Sequence, residues 1–167
     1  MQSIPDTLCY LNGEYTLLRD AKVSVLDRGF VFGDGIYEVV PVYAGKLFRF
    51  KEHMARLTRS LGKIRIVNPH TSEQWLERCR KLIRALTDQV SAQDQLVYIQ
   101  VTRGVAMRDH VMPPDLTPTV FVTTNKITQP SAQDRAQGVA CVTAEKEHFE
   151  LTEQCRARLL ASLLLDR

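Results

Sequence analysis

No stretch of the 167 residues is apolar over the roughly 20 positions needed to cross a bilayer, and the opening "MQSIPDTLCYLNGEY" lacks the basic-then-apolar pattern of a secretory leader. A membrane-embedded chain is therefore not expected, and the cytoplasm is the expected compartment. Charge of one sign is also scarce. The net charge of +3 is spread along the chain, with no element that gathers Lys and Arg, which argues against a nucleic-acid surface. The four cysteines, Cys9, Cys79, Cys141 and Cys155, form no C-x-x-C pair and have no His at ligand spacing. Buried free thiols are expected, with no metal site and no disulfide framework. Neither internal repeats nor low-complexity tracts occur.

What remains is an ordinary globular composition, 44% hydrophobic and 25% charged, long enough for one domain with a real core but scarcely for two. Asn12-Gly13, between apolar residues, signals a hairpin because both turn positions tolerate positive φ. Residues 21–26, "AKVSVL", alternate and predict a short strand. A loop containing Gly29, Gly33 and Gly35 hands over to a strand at 36–43, then an Ala44-Gly45 turn and a return strand, "KLFRF". Met54, Leu57 and Leu61 predict a helix over about 51–62. Thr71 or Ser72 caps a second helix over 72–87, whose stripe is Trp75, Leu76, Cys79, Leu82 and Ile83. Two further strands, "QLVYIQVTRG" and "TVFVTTN", flank the polar loop "VAMRDHVMPPDLTP". Residues 126–137 read as a connector. Beyond them lie a strand-like "GVACVTA" and a helix pattern over 152–165. Hairpins first, with two helices between paired strands, fit an α+β fold: an antiparallel sheet with two helices on one face.

Several side chains could carry chemistry, and each has an ordinary alternative. Arg56 on a helix is either solvated or a planar fork for a phosphate. Arg108 and His110, two apart in a loop after a strand, either converge on one anion or belong to a polar loop around Asp109. Tyr37 at the mouth of its strand either faces a ligand or packs as a core aromatic.

Together, "RGFVFGDGIYEVVPVYAGKLFRFKEHMARL" and "LVYIQVTRGVAMRDH" resemble the N-terminal domain of the class IV, or fold type IV, pyridoxal-phosphate aminotransferases. Within that family the D-amino-acid branch is the nearest match. The resemblance runs from about Leu8 to Ala144. It implies a small α+β domain over 1–125, a connector over 126–137, and at 138–167 the truncated start of the large cofactor-binding domain. It also implies roles: Arg56 for the phosphate of pyridoxal 5'-phosphate, Tyr37 and Tyr98 lining the pocket, and Arg108 with His110 trapping a substrate α-carboxylate. The Arg-x-His pair separates the D-amino-acid enzymes from branched-chain relatives and aminodeoxychorismate lyase. The implied partners are an amino acid, a 2-oxo acid and a second copy of the chain in a homodimer.

The resemblance fails at one catalytic point. The family's lysine slot, counted forward from Gly138 or back from Leu159-Leu160, falls on Cys155, and a thiol cannot make the carbon–nitrogen link required there. Lys146 lies too early to replace it. The expectation is a family member without transaminase activity. The rival expectation is a non-catalytic binding or interaction domain that pairs with itself or with a full-length relative. In either case the helix pattern over 152–165 places Cys155, Leu159, Leu163 and Leu164 on one apolar stripe, and self-association is expected to cover it.

Overall fold

The computed structural model describes residues 5–138. Two compact units divide the chain, one comprising 1–108 with 113–127 and the other 109–112 with 128–167.

Six strands of the first unit form one sheet in the order β2-β1-β6-β5-β3-β4, with every described pairing antiparallel. The strands are β1 (Leu8–Leu11), β2 (Glu14–Leu17), β3 (Gly35–Tyr43), β4 (Lys46–Leu47), β5 (Gln95–Thr102) and β6 (Thr119–Lys126). The first hairpin turns where expected, with φ of 49° at Asn12 and 105° at Gly13. The Asn12 side-chain oxygen also accepts the Val120 N–H, which ties this turn to β6.

One face of the sheet is the core. Val40, Val42, Val97, Ile99, Val101, Val120 and Val122 are buried, and the register places them on a common side. Against them pack α2 (Phe50–Lys63), through Met54, Leu57 and Leu61, and α3 (Ser72–Val90), through Trp75, Cys79, Leu82, Ile83 and Leu86. Thr71 starts α3 with a capping box, its hydroxyl accepting from Gln74 N while the Gln74 side chain accepts from Thr71 N. Burial pushes the Cys79 thiol up to about 12, so it behaves as a packed apolar group. Cys9 is likewise buried and free, whereas Cys141 and Cys155 lie outside the described residues.

Four local expectations need correction. Residues 21–26 form no strand. Only Asp27 bridges to Val105, so the alternation of "AKVSVL" finds no partner strand to fix it. The return strand after Gly45 is two residues long, because Phe50 already begins α2. The glycine loop contains a short helix, α1 (Arg28–Phe32), started by Asp27, whose carboxylate accepts from Gly29 N, and stopped by Gly33 at φ 67°. The fourth concerns the connector expected over 126–137: its first residue still belongs to β6, and within the second unit it carries α4 (Ala132–Gln137), begun by a Ser131–Asp134 capping box. The strand and helix expected beyond Gly138 lie outside the described residues. Among the described residues no helix is long and apolar enough to cross a membrane.

Candidate active site

Period-two alternation along β3 decides what its first residues can do. Tyr37 points to the face that no helix of this unit covers, and Glu38 points to the helical face. Tyr37 is 65% exposed and stacks on Tyr98 of β5, with ring centroids 5.9 Å apart and planes 21° from parallel. Phe121 of β6 lies 6.4 Å further on, so three adjacent strands carry an aromatic row across the open face. The Tyr98 hydroxyl donates to Gln100. Burial and the neighbouring Tyr37 raise the Tyr98 phenol above its ordinary value, which keeps it a proton-bearing donor.

On the other face Glu38 is 3% exposed and fully engaged. Arg56 of α2 donates Nε to Oε1 and Nη2 to Oε2, the latter at 2.8 Å, and His53 Nδ1 lies 2.7 Å from Oε2. Burial opposes ionisation of this carboxyl. The hydrogen bonds and charges of Arg56 and His53 outweigh it and hold Glu38 below the usual range. The same pairing raises Arg56. Arg56 lines a depression of about 390 Å³ together with Arg49, Glu52, His53, Ala55 and Arg59. Three guanidiniums around one hollow suit an anion. No described residue engages the Arg56 Nη1, which is a donor a phosphate can use. The phosphate end of the implied cofactor therefore fits the residues present.

The Gly33-Asp34-Gly35 turn is built on charge. Asp34 is fully buried and accepts from Arg28 Nε at 3.1 Å and from Arg103 Nε and Nη2 at 2.6 and 3.1 Å. Arg103 also donates to the carbonyls of Ile64 and Arg65, which fastens the loop to the end of α2. Arg28 in turn lies over the Phe32 ring at 4.7 Å, and the Arg108 guanidinium lies 5.6 Å from the same ring.

The expected site residues are thus distributed. Tyr37 and Tyr98 meet directly, and Arg56 stands on the opposite side of the strand from Tyr37. The hollow lined by Arg56 includes neither tyrosine and not Arg108. Arg108 rests beside Phe32 in the first unit, and His110 belongs to the second. Sequence reasoning missed Glu38 and His53 as partners of Arg56. Their one signal was a carboxylate starting an otherwise apolar strand, with a His three residues before the helix arginine.

Residues 35–159 match the amino-transferase class IV family. The chain belongs to the class IV aminotransferases. It is 41% identical over 140 residues to a D-alanine aminotransferase of Staphylococcus epidermidis, an alignment covering 83% of this chain and 48% of that protein. It is 42% identical over 137 residues to the D-alanine aminotransferase of Staphylococcus aureus, covering 81% and 47%. The chain thus spans about half the length of these relatives. The Escherichia coli branched-chain amino acid aminotransferase superposes with a TM-score of 0.66 at 22% identity, over 74% of this chain and 42% of that one. A hypothetical aminotransferase from Mycobacterium tuberculosis, solved in its PLP-bound form, gives 0.61 at 17% identity, over 73% and 40%. At these identities the structures show that this class IV aminotransferase has the family's α+β fold.

Proposed function

We propose that this class IV chain carries the small-domain share of a D-amino-acid aminotransferase site, working between a D-amino acid and a 2-oxo acid. The observation that supports it best is the Glu38–Arg56 fork beside a hollow rich in arginine, since it offers an oriented donor edge to the phosphate of pyridoxal 5'-phosphate. That cofactor supplies the electron-withdrawing ring and the carbonyl carbon on which an amino group is exchanged. In this reading Tyr37 and Tyr98 wall the substrate side and exclude water with their rings. Arg108 provides a bidentate fork for the α-carboxylate. The printed names of the sequence relatives, D-alanine aminotransferases, favour the D-amino-acid branch over the branched-chain one.

Cys155, in the lysine slot, removes the amine that would carry the α-proton, so the chain binds its ligands without transferring the amino group. Titration with pyridoxal phosphate tests both halves. The expected result is saturable binding that weakens at least tenfold in Arg56→Leu, with no visible band bleached by borohydride. Turnover of D-alanine with a 2-oxo acid would overturn the inactivity, and binding indifferent to Arg56→Leu would overturn the site.

A second reading, an interaction domain that pairs with another copy, draws on surface chemistry. The segments around Asp27 and Val105 run side by side and expose Val25, Phe30, Val105 and Met107, the last at 78%. Light scattering of the Phe30→Ser variant tests the pairing face: a dimer lost in the variant supports pairing through it, and an unchanged dimer overturns it.

A further inference from the structure

Glu38 enters the site as read above only as the partner of Arg56, and it is the buried member of that pair. Its side chain is 3% exposed while that of Arg56 is 55% exposed, so a buried carboxylate lies beneath a guanidinium that reaches solvent. Both carboxylate oxygens are taken, Oε1 by Arg56 Nε and Oε2 by Arg56 Nη2 and His53 Nδ1. An ionised carboxylate can only accept, so Nδ1 of His53 carries the proton in that bond. The fork-to-fork pairing commits one edge of the guanidinium and fixes its plane. Nη1 remains as the donor with no partner among the described residues, in the hollow shared with Arg49, Glu52, His53, Ala55 and Arg59.

From this geometry we propose that Glu38, braced by His53, is a positioning residue for anion capture by Arg56. Glu38 touches no ligand. It acts by holding the guanidinium plane so that the remaining edge meets a phosphate without first losing its rotational freedom. The inference rests on the reading of Arg56 as the phosphate-binding group. Two effects compete when the carboxylate is removed. The site gains net positive charge, which attracts an anion, and it loses the fixed plane, which grips one. Arg56 is half in water, where added charge is strongly screened, so loss of the fixed plane wins.

The test compares pyridoxal phosphate with pyridoxal on the full chain and follows the Arg56 Nε–H resonance in nitrogen-labelled protein. The ratio of the two affinities isolates the phosphate. Glu38→Gln should cut the preference for the phosphate ester at least tenfold, leave pyridoxal binding unchanged, and shift the Nε–H signal while removing its protection from solvent exchange. His53→Ala, a second variant in case the first does not fold, should cut the preference severalfold and retain the Nε–H signal. His53→Gln, which keeps a side-chain donor, should recover most of it. An unchanged preference in Glu38→Gln and His53→Ala, or tighter phosphate-ester binding in either, overturns the proposal. A purely structural role would lower the melting temperature and leave the ratio alone. If Arg56→Leu abolishes the preference and neither partner variant does, only the positioning role falls. If Arg56→Leu changes nothing, the phosphate-site reading falls and takes this one with it.

Discussion

Replacing Asp34 by Asn should be among the most damaging single changes in the described residues. The substitution keeps the size of the side chain and one acceptor oxygen but removes the charge and turns an NH2 toward guanidinium donors. Arg28 is 3% and Arg103 is 8% exposed, so neither charge can be rescued by water without local opening. Removing one partner from a buried ionic cluster costs about 3–5 kcal/mol. Three hydrogen bonds to a charged group would suggest more, but Arg103 keeps the Ile64 and Arg65 carbonyls, which places the loss near the lower end, about 3–4 kcal/mol. For a cooperative unit of roughly 120 residues that is a fall in melting temperature of about 12–16 °C. Thermal and urea unfolding followed by circular dichroism would measure it. Arg103→Met introduced into the Asp34→Asn background should then cost less than in the wild type, by about 2 kcal/mol of coupling. A loss below about 1 kcal/mol for Asp34→Asn, or strict additivity in the double variant, would refute the view that this cluster holds the loop.

Other outcomes follow from single features. Thr71→Ala removes one half of the capping box and should cost about 1 kcal/mol, read as a lower urea midpoint with an unchanged slope. Gly104 sits at φ 104°, and a Cβ there would run into the Thr117 carbonyl, so Gly104→Ala should cost on the order of 2 kcal/mol or prevent folding. Burial and the nearby Arg78 hold His70 below its usual value, while its Nε2 pairs with the Tyr10 hydroxyl at 3.2 Å. The unfolded chain therefore takes up that proton more readily. The contribution is complete above about pH 6.5 and is lost as the pH falls through the lower folded value. His70→Gln should flatten the decline of the urea midpoint between pH 7 and 5, and an unaltered decline would remove His70 as its cause.

How much of this could be read in the chain depends on the range over which each signal acts. Asn12-Gly13 and Thr71-x-x-Gln74 act within four residues, so the first hairpin and the start of α3 were legible. Periodicity revealed both long helices for the same reason. Residues 21–26 carry the alternation of a strand, but a strand exists only by pairing, and nothing in those six residues supplies the neighbour. Helix α1 spans less than two turns, too short for a period to declare itself, and its glycines read as a turn. The Ser131-x-x-Asp134 box was present in the supposed connector, and the polar composition around it masked it. Long-range charge was the least visible part. Asp34 meets Arg103 across 69 positions and Glu38 meets Arg56 across 18, distances over which local pattern carries no information. For Tyr37 and Tyr98 the strands were legible, and their stacking followed only once the register joined Val39 to Tyr98.

Strand β3 assigns neighbouring residues to opposite duties, aromatic Tyr37 on one side and anionic Glu38 on the other. Substitutions at either position can be graded, because each disturbs one side at a time. A single-residue insertion or deletion just before Tyr37 cannot. It would exchange the two faces at once, burying a phenol where a guanidinium needs a counter-charge and placing a carboxylate among the rings. This stretch should therefore accept many changes of letter and almost no change of length.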